Sequence, residues 1–170
     1  MATNSAAINV GRLLEIKIAA GYRTVVEVDA LFDRIDAEIA KLPPSVRIVT
    51  AADWRECPVM SDTGSQQVLQ RIILLNARTE RSSAIASPGS PTAVLQFMRL
   101  IREAGMPDRK MFFSAEEQIE WLSQVLTQPE SERLRLFLAE GGRAGSSYTR
   151  VIGSDAKVTM PAPRAVARKR

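Results

Sequence analysis

The chain has no histidine in 170 residues. That removes a Ser–His–Asp triad, a Cys–His pair, the common zinc sites and the usual general base near pH 7. It has a single cysteine, Cys57, so no internal disulfide can form, and the expected compartment is the cytoplasm. Aromatic residues make up only 5% of the chain, and its basic end lacks interleaved aromatics except Tyr148. No apolar run approaches the roughly 20 residues that span a bilayer. The first residues, Met1-Ala2-Thr3-Asn4-Ser5, offer neither a basic n-region nor an apolar h-region, so no secretory signal is expected.

Charge is unevenly placed. From Glu140 onward seven Lys and Arg stand against two acids, a local +5, and the remainder carries −1. The high pI therefore belongs to the end of the chain. A nearly neutral body is a poor match to a nucleic-acid-binding fold, whose basic patch sits on the folded surface. The expected organisation is one α/β domain over 1–139 and a basic, disordered tail over 140–170.

Apolar spacing then gives the order of elements. Leu14-Glu15-Ile16-Lys17-Ile18 alternates like a half-buried strand, with Ile8 to Val10 as its hairpin partner. Thr24-Val25-Val26-Glu27 is a capping box for a helix bearing Val28, Leu31, Phe32, Ile35 and Ile39, ended by Pro43-Pro44. Val46 to Ala52 is a β-branched strand. Ser61 or Asp62 caps a helix with Val68, Leu69, Ile72, Ile73 and Leu75 on one face. Ser82 to Ser87 is a strand that turns at once into a helix with Ser90 as N-cap and Pro91 at its first position. That helix is apolar on more than one side, from Val94 to Ile101, and is expected to be well buried. Lys110 to Phe113 is a short strand, and Ser114 to Glu117 caps the next helix. A last short helix begins at Pro129 and stops at Gly141-Gly142. The order β(β)αβαβαβα predicts a single, mostly parallel sheet of four to five strands, with an antiparallel edge from the hairpin.

Four places could hold chemistry or a partner. The turn Ser87-Pro88-Gly89-Ser90-Pro91-Thr92 joins a strand end to a helix start, where free N–H groups favour an anion or nucleotide. Ser87, Gly89, Ser90 and Thr92 are its candidate donors, against the plainer reading of a cap and a stop turn. It lacks the Lys-Ser/Thr of a phosphate-binding loop. The second place is Ser61-Asp62-Thr63-Gly64, where phosphate on Thr63 or Ser61 would add about −2 beside Asp62 and expel a partner. The plainer reading is an ordinary N-cap. The third is Asp53-Trp54-Arg55-Glu56-Cys57-Pro58-Val59-Met60, with a thiol that Arg55 and a helix N-terminus could activate and an Asp53–Glu56 carboxylate pair. A small buried thiol and solvated acids are the plainer readings. The fourth is the tail, whose Arg164, Arg168, Lys169 and Arg170 could grip nucleic acid or an acidic surface through salt-sensitive contacts. No set of residues has metal-ligand spacing, and no cofactor is implied.

The element order, with Ser61-Asp62-Thr63-Gly64 at the start of the second main helix, resembles the STAS domain and the related SpoIIAA-like domains. The resemblance implies a non-catalytic regulatory domain that binds a partner kinase or anti-sigma factor. In that family a serine in a short Asp-Ser-Ser/Thr-Gly motif is phosphorylated to break the complex. Thr63 is the nearest match to that position and Ser61 the second. The implied partner surface is Ser61, Asp62, Thr63, Gly64 and Gln67, with a homodimer as a further arrangement. Two other classes stand beside it: anion or nucleotide binding at Ser87 to Thr92, and association through the tail. An enzyme is the least favoured.

Overall fold

The computed structural model describes residues 3–145. Five strands form one sheet in the order β1-β2-β3-β4-β5: Ser5–Val10, Leu13–Lys17, Ile48–Asp53, Thr79–Ile85 and Arg109–Phe112. Strands β1 and β2 are an antiparallel hairpin, and β2 through β5 run parallel. The fold is therefore α/β, with the expected antiparallel edge.

Three helices cross between the parallel strands: α1 (Val25–Ile39), α2 (Asp62–Leu75) and α3 (Pro91–Glu103). Each crossover steps to the next strand in the same direction. Right-handed connections then place all three on one face of the sheet. There Leu14, Ile18 and Ile48 pack against Val28, Phe32, Ile35, Val68, Phe97 and Leu100. Burying a side chain such as Phe97 stabilises the fold by about 1.5–3 kcal/mol. Helices α4 (Ala115–Ser123) and α5 (Gln128–Gly145) cover the opposite face, where Leu122, Leu134, Phe137 and Leu138 meet Leu13, Val49, Ala51 and Ile85.

The caps follow the chemistry of their residues. The Thr24 hydroxyl accepts from Glu27 N (3.3 Å), while the Glu27 carboxylate reaches back to Arg23 N (2.7 Å). Ser114 accepts from Glu117 N at 3.4 Å.

Several expectations are corrected. Strand β2 is not half-solvated, because α5 lies over its second face. Glu15 is buried there and held by Arg133, with Nη2 to Oε2 at 2.6 Å and Nε to Oε1 at 2.7 Å. Helix α3 is amphipathic rather than buried throughout: Ala93, Phe97 and Leu100 face inward, while Leu95 and Met98 are exposed. Helix α5 does not stop at Gly141-Gly142 but runs through them to Gly145. The boundary drawn at 139/140 thus falls inside a helix, and of the tail, residues 146–170, with Arg164, Arg168, Lys169 and Arg170, lie outside the described residues.

Gly141 stays in the helix because it is the point of closest approach to β3. A Cβ there would collide with Asp53 Oδ2 and Arg55 Nη2. Arg55 clamps the same place. It holds Asp53 through Nε (2.9 Å) and Nη2 (2.8 Å) and donates from Nη2 to the carbonyl of Leu138 (2.8 Å).

Candidate functional site

The start of α2 is the best-defined of the four places. Ser61 has the extended backbone of an N-cap, and its hydroxyl accepts from Gly64 N at 3.1 Å. The Thr63 hydroxyl lies 3.3 Å from that of Ser61, and both residues are exposed, as is Asp62. Gly64 is buried, its Cα facing back on the Ser61 hydroxyl. Gln67 is not part of this surface. Its amide donates to Asp29 Oδ1 at 2.7 Å, and so ties α2 to α1.

The segment that feeds the cap is fixed from α3. Gln96 accepts from Met60 N through Oε1 and donates to Met60 O through Nε2, both at 2.9 Å. This pair of bonds reproduces the pattern of a strand pair and leaves residue 60 with no backbone polar group unmet. The N-cap therefore sits at a set height above α3.

Between α2 and α3 runs a groove. Asp62, Ser65, Gln66 and Leu69 line one side, and Leu95, Gln96, Arg99 and Glu103 the other. Leu95 is 68% exposed, Met98 51%, and Val59, just before the cap, 49%. Of these, Leu95 lines the groove, while Met98 and Val59 lie outside its lining. Arg99 bonds Glu103 at 2.8 Å, which raises its pKa above the usual guanidinium value, and the charge of Asp62 adds to the effect. The rim thus carries both signs of charge and the floor is apolar.

The sequence expectation reached Ser61 to Gly64 but missed the α3 side, Leu95, Gln96, Arg99 and Glu103. The signal was present: the second apolar side of α3 had no strand of its own to cover.

The other places are less assembled. Along Ser87 to Thr92 every residue is exposed. Ser87 accepts from Gly89 N at 3.3 Å, a local turn, and Ser90 makes no side-chain cap bond. Ser90 holds the expected N-cap position with Pro91 starting the helix, but with φ −125° and ψ 86° its hydroxyl makes no capping bond. Around Asp53 to Pro58 the groups diverge. Asp53 is locked to Arg55, and Glu56 points to Lys17 at 3.7 Å. The Cys57 thiol is buried and donates to Pro58 O, and burial pushes its pKa up to about 12. Arg55 is committed to Asp53, so the Cys57 thiolate is not favoured. Among the described residues no three His, Cys, Asp or Glu gather as a metal site, and no helix is long and apolar enough to cross a membrane.

No family model, curated protein or solved structure matches this chain. The likeness to STAS domains therefore rests on element order and on Ser61-Asp62-Thr63-Gly64.

Proposed function

We propose that this chain is a non-catalytic regulatory module of STAS/SpoIIAA-like kind, which docks another protein over the α2–α3 groove and is gated by phosphate at Thr63. The observation that carries the reading is the groove between α2 and α3, lined by Leu69, Leu95 and Leu100 with Leu95 largely exposed. The fully buried acids support it in a second way, since each is occupied within the fold. Glu15 is held by Arg133, Asp53 by Arg55, and Glu130 by the amides of Arg12 and Thr127. Each of these three carboxylates is therefore held within the fold.

The partner in this reading presents an apolar helix face to Leu69, Leu95 and Leu100. Phosphate on Thr63 adds about −1.5 to −2 charge and a hydration shell at the rim of that contact. It lies next to Asp62, so like-charge repulsion and desolvation both oppose docking. Ser61 is the poorer acceptor of phosphate because its hydroxyl is engaged by Gly64 N.

Affinity capture with wild type, Leu95→Glu and Thr63→Glu tests this. A protein retained by wild type and lost from both variants, each with an unchanged melting temperature, is the expected result. Capture that is indifferent to both substitutions, or no retained protein at all, overturns the reading.

A further inference from the structure

The sheet has two outer strands, and they are treated differently. At β1, Ile8 N donates to Glu38 Oε2 at 3.1 Å, and just before the strand Asn4 O accepts from Arg34 Nη1 at 3.3 Å. A shift of register between Ile8 and Val10 interrupts the same strand. Strand β5 has no such cover. Ser82 N donates to Asp108 O at 2.9 Å and Ala86 N to Phe112 O at 3.0 Å. In a parallel ladder this alternation turns the backbone groups of Lys110 and Phe112 toward β4, and those of Met111 and Phe113 outward. Neither outward N–H has a partner among the described residues.

The side chains around this edge do not guard it. Lysine is a residue type that commonly blunts an outer strand, but Lys110 is drawn over the Trp121 ring, 5.0 Å from its centroid. Phe113, at the end of the strand, is 51% exposed. The helix above adds to it. Gln96, Arg99 and Glu103 line the groove toward α2, so helical spacing puts Val94, Met98 and Ile101 on the opposite flank of α3, the one over β5. Met98 and Phe113 are thus large exposed apolar side chains on the side of the molecule where β5 is unpaired.

We infer that β5 is the edge of a homodimer: two copies of the chain pair their β5 strands antiparallel about a two-fold axis at Met111, joining their five-stranded sheets into one. The pairing chemistry selects both partner and register. An antiparallel pair exchanges bonds between outward-facing residues, so a two-fold axis can fall at Lys110, Met111 or Phe112. At Lys110 it sets that lysine opposite its own copy, and like charges directly opposite destabilise. At Phe112 it carries Arg109 and Lys110 past the strand onto Ala115 and Ser114, where α4 begins. At Met111 it sets Arg109 opposite Phe113, Lys110 opposite Phe112 and Met111 opposite itself. Each cation then faces an aromatic residue of the second copy, and no like charges meet. A foreign strand would have to supply that complement; a second copy carries it. The edge lies on the other flank of α3 from the partner groove, and the pairing stands whether or not that docking does.

The test is analytical ultracentrifugation of the full chain, diluted from about 1 mM. A strand pair this short makes a small interface, so a reversible dimer that dissociates within the series is expected. Phe113→Arg sets like charges opposite Arg109 at both symmetric places and should weaken the dimer about 10-fold or more. Phe113→Glu sets an opposite charge there and should retain it. Met111→Pro removes an N–H that the monomer does not use, and should abolish the dimer. Leu95→Glu, in the groove, should dimerise as wild type does. Far-UV circular dichroism of each dilute variant, unchanged from wild type, separates lost pairing from lost fold. A wild type that stays monomeric across the series overturns the inference. So does a dimer that survives Met111→Pro, that Leu95→Glu removes, or that Phe113→Glu weakens as much as Phe113→Arg, since none of these obeys the edge and its register.

Discussion

Replacing Gly141 by alanine sets two physical effects against each other. By propensity alone the change is favourable: alanine is better than glycine in a helix interior by about 1 kcal/mol. Gly141 lies inside α5. The contact geometry points the other way. The new methyl would occupy the space of Asp53 Oδ2 and Arg55 Nη2. Asp53 is only 2% exposed, and its carboxylate takes three bonds from Arg55, from N, Nε and Nη2. To admit the methyl, either α5 lifts from β3 and loses the bond from Arg55 to Leu138 O, or the carboxylate turns away from its guanidinium. Breaking a buried pair outright costs about 3–5 kcal/mol. With partial relief by a shift of the helix, and the propensity gain set against it, the net is a destabilisation of about 2–4 kcal/mol. Gly142→Ala is the control. Its Cβ would stand 3.2 Å from Arg55 Nη1, a contact eased by a shift of a few tenths of an ångström. With the same propensity gain set against that small shift, it should range from about wild-type stability to about 1 kcal/mol above it. Urea unfolding followed by far-UV circular dichroism measures both. A Gly141→Ala protein as stable as wild type, or more so, would refute the close approach of α5 to β3 and with it the path of the helix through Gly141-Gly142.

Two further outcomes follow from the caps and the buried acids. Ser61→Ala should cost about 1 kcal/mol in the same assay, and Ser90→Ala close to nothing, since only the first hydroxyl caps its helix; equal losses would show that Ser90 caps as well. Glu130 is desolvated, which opposes its charge, but the amides of Arg12 and Thr127, the Thr127 hydroxyl and the Arg12 charge outweigh this and hold its pKa below the ordinary 4.5. Its bonds therefore contribute fully above that pH, and the contribution is lost as pH falls through the lowered value. Stability should drop on acidification below about pH 4.5, and Glu130→Gln, less stable at pH 7, should show a smaller drop; parallel pH curves for the two proteins would count against the assignment.

Periodicity read well wherever an element's fate depended on its own residues. The alternation over Leu14 to Ile18, the spacing from Val28 to Ile39 and the hydroxyls of Thr24, Ser61 and Ser114 each named a strand, a helix face or a cap within a residue or two. Boundaries drifted where neighbouring strands decide pairing. Strand β4 begins at Thr79, earlier than its apolar residues suggest, because Thr79 pairs with Ile48. The candidate site was half legible. Ser61 to Gly64 carry a local signal, but the groove needs α3 alongside, and the exposure of Leu95 depends on what lies opposite it.

What was not legible has a common origin in chain separation. Glu15 finds Arg133 and Arg12 N finds Glu130, each pair 118 positions apart, and Asp53 meets Gly141 from the far end of the domain. All three contacts belong to α5. A glycine pair reads locally as a helix stop, because glycine raises the cost of helical order by about 1 kcal/mol per residue. That cost is outweighed only if the same glycines allow a backbone approach that buries Leu134, Phe137 and Leu138 on β2 and β3, each worth about 1.5–3 kcal/mol. The charged residues of β2 then cease to be the solvent side of a half-buried strand and become the floor of a second layer. Glu15 is tolerated there because α5 brings its own arginine. The length of α5 and the burial of Glu15 are thus one structural fact: shortening the helix at Gly141 would remove neither Arg133 nor Leu134, but would release the contact at Asp53 that holds the far end of the helix down.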